Sequence, residues 1–304
     1  MKKLMLTTGV SLIVTFSTLA CGVCGGGASN QYLGLLPQSK GGFVGLQYQM
    51  RDFTGRHATA SQPVNTSREY YTTLQLWGRY SLGDRLQLFA FLPYIINNRF
   101  EVNNNQRVNG IGDATILANY CLTKRLTDSK LKHIVLVGGG IKLPTGKYDN
   151  AAISKADGLP NMQAGTKSVD VLFNTNYTIQ YENNGINLDA SYAVTTPNTY
   201  QYKFGNRLQF GLQGYRYLSL KAFNVVPLIG GRFENTSCDY ENYATELRNT
   251  MTGGTFVYLS AGFQCYYKNV GFQFNFHQPV YQKYADRMVI NNYKLDSGIY
   301  IIFK

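Results

Sequence analysis

The chain has 304 residues, a formal net charge of +12, 15% charged residues and 14% aromatic residues. Beyond the N-terminus, no stretch approaches the roughly 18 continuous apolar residues of a membrane-spanning helix, which excludes a helical membrane protein. No basic cluster with interleaved aromatic residues occurs, which argues against a nucleic-acid partner. The positive charge instead favours anionic surroundings such as lipid headgroups or anionic solutes.

The N-terminus predicts export. Met1-Lys2-Lys3 is a basic start, an apolar run follows, and Ala20 is a small residue at a cleavage position. This is the pattern of a secretory signal. We therefore predict a signal peptide over residues 1–20, a Cys/Gly-rich segment over residues 21–41 and one domain over residues 42–304.

Cys21 and Cys24 form a Cys-x-x-Cys pair at the start of the predicted mature chain. Such a pair can form a disulfide, take part in redox exchange or hold a soft metal ion, and Cys21 is also a candidate for acylation. Because no second pair and no histidine lie nearby, a disulfide or an acylated end is the simpler interpretation. A soft metal ion at this pair is the one cofactor that the sequence suggests.

The clearest strands are residues 169–181 and 186–194. Apolar and polar residues alternate along both, which is the period of a strand. The strands exceed the five or six residues usual in soluble sheets and approach the roughly 9 to 11 that a tilted strand needs to cross a bilayer. The Asn184-Gly185 step between them predicts a tight hairpin turn.

The same alternation predicts twelve strands along the chain. In chain order they are residues 42–53, 70–82, 86–97, 110–122, 133–143, 169–181, 186–194, 203–218, 222–233, 254–267, 270–281 and 294–304.

The connections between these strands alternate in length. The long ones are expected to end near residues 67, 109, 167, 253 and 292, and the others are short or of medium length. Outer-membrane barrels have this asymmetry, with long loops outside and short turns in the periplasm. We therefore predict an all-β fold, a transmembrane antiparallel up-and-down β-barrel of about 12 strands in the bacterial outer membrane, with both termini periplasmic.

Several segments resemble one known family. It is the outer-membrane transporter family named for a putative meta-pathway of phenol degradation, and the Bacteroidetes-type members are the most similar. The resemblance implies transport across the outer membrane without naming the solute. The matching segments are YLGLLPQ at 32–38, GIGD at 110–113, GGGIKLPTG at 138–146, LPNMQAGT at 159–166 and HQPVYQ at 277–282.

Catalytic motifs are missing from the sequence. His57, His133 and His277 are scattered, and no zinc-protease, nucleophile-elbow or dinucleotide motif occurs. A hydrolase on a barrel wall needs a Ser, a His and an acid or amide side by side, and His277 is the nearest candidate. A polar network around a lumen histidine explains it better, so we predict that the protein is not an enzyme.

Strand parity places a set of charged and polar residues on the inner face of the barrel. They predict a narrow polar lumen that passes a small solute, for example an aromatic or hydrophobic one, with membrane lipid as the other partner. The alternatives are charges that are only paired or solvated, and a metal-handling or structural barrel that uses Cys21 and Cys24. The lumen-facing candidates are Arg79, Asp113, Lys142, Asp170, Asp189, Arg232 and His277.

The longest connection, residues 144–167, is a candidate gate. Loops of this length without secondary structure of their own are either functional or disordered. Its apolar residues Leu159, Pro160 and Met162 could anchor it against the wall, and its charges would then lie near the lumen. The alternative is a disordered surface loop. The charged residues of the proposed gate are Lys147, Asp149, Lys155, Asp157 and Lys167.

Overall fold

The computed structural model describes residues 41–59, 62–102, 105–123, 130–150 and 160–303. The predicted signal peptide and four predicted site residues, Cys21, Cys24, Lys155 and Asp157, lie outside the described residues. No helix in the described part of the chain is both long enough and apolar enough to cross a membrane.

The described residues are mainly β-strands, with two 3-10 turns at Pro160–Met162 and Ala285–Arg287. The strands are β1 (Gly42–Thr59), β2 (Gln62–Leu82), β3 (Leu86–Phe100), β4 (Asn105–Ile111), β5 (Thr115–Cys121), β6 (Leu131–Lys142), β7 (Asp170–Tyr181), β8 (Asn184–Val194), β9 (Arg207–Arg216), β10 (Leu218–Leu220), β11 (Phe223–Thr236), β12 (Asp239–Asn242), β13 (Leu247–Asn249), β14 (Gly254–Tyr267), β15 (Val270–Tyr284) and β16 (Val289–Phe303).

These strands form a closed antiparallel barrel. β12 and β13 make a separate hairpin, and the other strands belong to one sheet in which β1 pairs with β16. β4 and β5 both pair with β3, while β9 and β10 both pair with β11, so each of these couples occupies one position in the wall. The prediction of about twelve antiparallel strands is therefore confirmed.

The two edges of the barrel differ. Gly42 pairs with Phe303, so the first and last strands meet at one edge, which we call the terminal rim. The turns after β2, β7 and β14 lie at this rim and are short. The opposite edge, the loop rim, carries the connection between β6 and β7 and the hairpin β12–β13.

The outer face of the barrel is apolar. Val44 and Leu46 on β1 are 46% and 49% exposed, and Ile299 and Ile301 on β16 are 52% and 50% exposed. Four exposed tyrosines lie at or near strand ends at the terminal rim, as in the aromatic girdle of a membrane barrel. They are Tyr80, Tyr120, Tyr181 and Tyr267.

The strands extend farther beyond the apolar belt than predicted. β1 runs to Thr59 and β2 begins at Gln62, where a loop to residue 67 was expected. β3, β4 and the hairpin β12–β13 likewise occupy much of two other predicted loops. These extensions are polar on both faces, because they project past the membrane, and apolar alternation therefore does not mark them.

The predicted turn at Asn184-Gly185 is displaced by two residues. Asn184 and Gly185 belong to β8, and the turn residues are Glu182, with φ 50°, and Asn183. Gly185 has a different reason to be a glycine. A Cβ atom there would lie 2.3 Å from the ring and hydroxyl of Tyr215 on the neighbouring strand.

Candidate functional site: a loop held inside the barrel

Inward side chains form three layers between the rims. The layer nearest the terminal rim, the terminal plug, is apolar and aromatic. Phe43 lies at its centre, with its ring 4.5 Å from that of Trp77 and 5.5 Å from that of Tyr300. The terminal plug consists of Phe43, Trp77, Phe89, Phe91, Leu117, Cys121, Leu136, Leu172, Ala193 and Tyr300.

The middle layer is ionic. Glu234 on β11 lies 3.2 Å from Arg51 Nη2, 3.0 Å from Arg232 Nε and 3.1 Å from Lys294 Nζ. Three strands separate β11 from β1 in the sheet, so the pair of Glu234 with Arg51 runs across the lumen rather than along the wall. This central band consists of Arg51, Asp189, Arg232, Glu234, His277, Lys294 and Asp296.

The central band is balanced in charge. It contains three cations and three carboxylates, and it is neutral overall when His277 is neutral. Arg232 Nη1 lies 3.8 Å from Asp189 Oδ2, and Lys294 Nζ lies 3.8 Å from Asp296 Oδ2. Buried charges are tolerated when they are paired in this way. The middle of the lumen therefore offers no excess charge of either sign to a passing ion.

His277 joins the central band to a hydroxyl group. Its Nδ1 lies 2.6 Å from Ser260 Oγ, and its Nε2 lies 2.9 Å from Asp296 Oδ2. A neutral imidazole with its proton on Nε2 donates to the carboxylate and accepts from the serine. All three side chains are almost completely buried.

The third layer, the upper cage, lies near the loop rim and contains a residue of the long loop. Its wall residues come from β1, β2, β14, β15 and β16, whereas Met162 comes from the connection between β6 and β7. Asn97 Nδ2 on β3 donates to the carbonyl oxygen of Met162 at 3.0 Å. The upper cage consists of Phe53, Tyr71, Met162, Phe256, Tyr258, Tyr284, Ala285 and Val289.

Residues 160–168 therefore lie inside the barrel, and we call them the infolded segment. Met162 is 1% exposed, and residues 161–166 are all buried. The inward fold that we expected of this loop is present. Its gating role stays a prediction.

Four buried side chains, which we call the latch, hold the infolded segment to the wall. Lys142 Nζ lies 3.0 Å from Asp113 Oδ2 and 2.8 Å from Asp170 Oδ2, and it also donates to Thr166 Oγ1. Thr166 returns to Asp113 Oδ2 through its backbone N–H at 2.9 Å and its hydroxyl at 2.6 Å. The loop thus ends on an ion cluster that belongs to β6, β7 and the Gly112–Ala114 break between β4 and β5.

Three family segments meet at this latch. Asp113 belongs to GIGD, Lys142 to GGGIKLPTG and Thr166 to LPNMQAGT. Gly146 and Gly165 pack backbone against backbone, and a Cβ atom on either would come within 2.5 Å of the other. Larger residues at these two positions would push the infolded segment away from the wall.

Asp239 ties together two further connections at the loop rim. Its carboxylate accepts hydrogen bonds from Tyr202 Oη and the Gly205 N–H, each at 2.7 Å. Burial raises the pKa of this carboxyl from 3.8 to about 6, although both hydrogen bonds oppose the shift. Asn198, in the same connection as Tyr202, donates to the Thr166 carbonyl oxygen at 3.2 Å. The infolded segment is therefore covered by a second loop that rests on Asp239.

The structure places the predicted lumen residues on the inner side of the wall. Six of them are at most 4% exposed, and the Asp189 side chain is 10% exposed. Asp113, Lys142 and Asp170 meet in the latch, whereas Asp189, Arg232 and His277 belong to the central band. Arg79 is separate, because it donates to the Gly41 carbonyl oxygen at 2.8 Å beside the terminal plug.

The charged residues of the loop differ from expectation. Lys147, Asp149 and Lys167 are exposed rather than turned into the lumen. Lys167 Nζ instead lies 3.3 Å from Tyr200 Oη. Burial of an unpaired charge is costly, so the loop keeps its charges in water and inserts Met162 and Thr166.

Glu234, Lys294 and Thr166 are site residues that sequence reasoning missed. Glu234 and Lys294 lie at predicted strand ends, where the loss of apolar alternation hides the parity that would have placed them inside. Thr166 carries no charge, and its only signal was its place in the resembling segment LPNMQAGT. Arg51 and Asp296 were placed on the inner face by parity, but nothing in the sequence linked them to one another.

The closed sheet with an apolar outer face defines the class of the protein, which is a β-barrel of the bacterial outer membrane. The sequence profile of the family described as Putative MetA-pathway of phenol degradation matches residues 43–227. This match covers more than half of the chain, and the chain belongs to that family.

Solved structures share the fold. The COG4313 outer membrane channel from Pseudomonas putida F1 has a TM-score of 0.62 and 16% identity over 88% of this chain and 97% of that chain. The β domain of the Bordetella autotransporter BrkA has a TM-score of 0.51 and 10% identity over 86% of this chain and 100% of that chain. No curated protein matches the sequence.

Proposed function

We propose that the protein is an outer-membrane channel for a small uncharged solute and that the infolded segment closes it. The observation that carries this proposal is the position of Met162, which comes from a connecting loop and lies among wall residues on the far side of the lumen. A loop that only covered the rim would not insert a side chain there.

The charge balance of the central band supports an uncharged solute. A band that carried excess charge would attract one kind of ion, whereas three cations paired with three carboxylates favour neither. We also place both termini in the periplasm, since the short turns lie at the terminal rim and the long connections at the loop rim.

Shortening the loop tests the channel. The Gly165 N–H donates to the Lys147 carbonyl oxygen at 2.9 Å, so a two-residue turn can join these positions. We expect a variant with Gly-Gly in place of residues 148–164 to open more often in planar bilayers than the wild type. The latch residues remain in this variant, and the barrel is expected to keep its heat-modifiable gel migration.

A neighbouring loop provides the control. Ala244, Thr245 and Glu246 form the exposed tip of the hairpin β12–β13. Replacement of all three by glycine alters the same rim without touching the lumen, and it should leave the conductance unchanged. Equal opening of the wild type and the loop-shortened barrel would contradict the proposal.

A hydrolase is the second candidate function, because Ser260, His277 and Asp296 are hydrogen-bonded in the order of a serine-hydrolase triad. We propose that they are structural, since Ser260 is only 5% exposed and His277 only 1%. Hydrolysis of p-nitrophenyl butyrate in detergent tests this choice. Activity in the wild type that Ser260→Ala abolishes would favour the hydrolase.

Metal handling by Cys21 and Cys24 is a separate proposal from the sequence. Copper or zinc binding to the mature protein, lost in the double variant Cys21→Ser and Cys24→Ser, would support it. Conductance that is independent of metal and of both cysteines would assign transport to the barrel alone.

A further inference from the structure

We propose that the upper cage is a binding site for a small uncharged aromatic solute with one hydroxyl group, and that this solute displaces Met162. The inference rests on the channel function proposed above and names its solute class. Two features of the upper cage carry it, namely the arrangement of its rings and an unpaired hydroxyl group.

The rings of the upper cage are arranged for a further ring. Phe256 is stacked on Tyr284 at 4.9 Å and lies 5.8 Å from Tyr258. Phe53 meets Tyr71 edge to face at 5.7 Å and Phe256 at 6.1 Å. Ring faces and edges at these distances attract another aromatic ring in stacked or T-shaped contact.

Met162 occupies the upper cage as a replaceable group. Its side chain is flexible and apolar, and thioethers make favourable contacts with aromatic rings. It belongs to the loop, whereas the latch holds that loop through Thr166, four residues farther along the chain. The methionine can therefore leave the rings while the latch stays intact.

The hydroxyl group of Tyr258 specifies the polar part of the solute. Tyr258 is 0% exposed, and its oxygen has no hydrogen-bond partner among the described residues. A buried hydroxyl without a partner is costly, and it can both donate and accept. A hydroxyl on the bound ring would satisfy it. A carboxylate would arrive unpaired, because the cations of the adjacent central band are already matched by carboxylates.

Calorimetric titration of the full-length mature barrel in detergent micelles tests the site with three probes, phenol, toluene and benzoate. Met162→Ala should bind phenol and toluene about tenfold more tightly, because a competing buried side chain is removed. Tyr258→Phe should weaken phenol about fivefold and leave toluene unchanged, since only phenol can pair with the lost hydroxyl. Benzoate should not bind.

Met50→Ala is the matched control, because Met50 lies on the outer face, where Tyr48 Oη donates to its sulfur at 3.4 Å. This variant should bind all probes as the wild type does. Unchanged affinities in Met162→Ala, or an equal loss of phenol and toluene in Tyr258→Phe, would overturn the proposal. If the loop-shortened barrel conducts but no variant alters binding, the aromatic site fails and the channel stands. If binding follows the expected pattern but no variant conducts, the channel fails instead.

Discussion

The two ionic clusters inside the barrel are built around opposite charges. In the latch, one cation, Lys142, is held by the carboxylates of Asp113 and Asp170. In the central band, one anion, Glu234, is held by three cations. The central band joins wall to wall, whereas the latch joins a loop to the wall. A buried ion cluster can thus stabilise the barrel itself or only a position of one loop, depending on which chain segments supply its members.

Loss of the Glu234 charge should have the largest effect. Glu234→Gln leaves three buried cations short of one carboxylate, and breaking a buried pair costs roughly 3–5 kcal/mol. We expect the free energy of unfolding in urea to fall by at least this amount, because all three pairs span the wall. The remaining excess of one positive charge should favour anions. The reversal potential of the loop-shortened barrel in a salt gradient measures that preference.

Lys142→Met should affect the loop more than the barrel. It leaves Asp113 and Asp170 buried without their cation, and release of the infolded segment relieves that cost. We expect more frequent channel opening together with a smaller loss of unfolding free energy than for Glu234→Gln. If Lys142→Met unfolds the barrel as severely and never opens it, then the latch belongs to the wall and the contrast between the clusters is wrong.

The cover over the latch should depend on pH. The pKa of Asp239 is raised to about 6, so the folded protein binds this proton more tightly than the unfolded chain does. The resulting stabilisation is complete below about pH 4 and is lost as the pH rises through 6, and it amounts to at most about 3 kcal/mol.

Channel opening should therefore be rarer at pH 5 than at pH 7.5. Asp239→Asn has no charge at either pH and should remove most of this difference. A pH dependence that survives in Asp239→Asn would assign it to other groups, among which Arg207 and Tyr202 face this carboxyl.

Thr166→Val should give the smallest effect. It keeps the shape of the side chain and removes the hydroxyl that joins Lys142 to Asp113, at a cost of about 1–2 kcal/mol. Opening should become modestly more frequent, and Thr166→Ser should restore closure. A valine variant that opens as rarely as the wild type would leave the ion pairs of Lys142 as the whole latch.

The wall of the barrel was predictable from the sequence, whereas the arrangement inside it was only partly so. Lipid outside and a polar lumen inside impose a period of two, which places Val44 outward and Gln47 inward without any knowledge of neighbouring strands. The pair of Arg51 with Glu234 depends instead on how far apart β1 and β11 lie around the ring. No local pattern encodes that separation.

The loop shows the same division. Its apolar Met162 was predicted as an anchor and is buried, because apolar side chains leave water wherever a cavity accepts them. Its charged residues were expected inside, but Lys147, Asp149 and Lys167 remain in water. The neutral Thr166 is the residue that reaches the ion cluster, and its partner Asp113 is 53 residues away along the chain.

The latch and the upper cage also differ in when they can form during membrane insertion. The latch needs β5, β6, β7 and the loop between them, which are close in sequence, whereas the upper cage needs β1 and β2 together with β14, β15 and β16. Contacts between distant segments close late, because the intervening chain must be ordered first. A half-inserted chain can therefore already carry its latched loop before β16 meets β1. The loop need not be threaded into a finished barrel, since the last strands to arrive complete the rings around a methionine that is already in place.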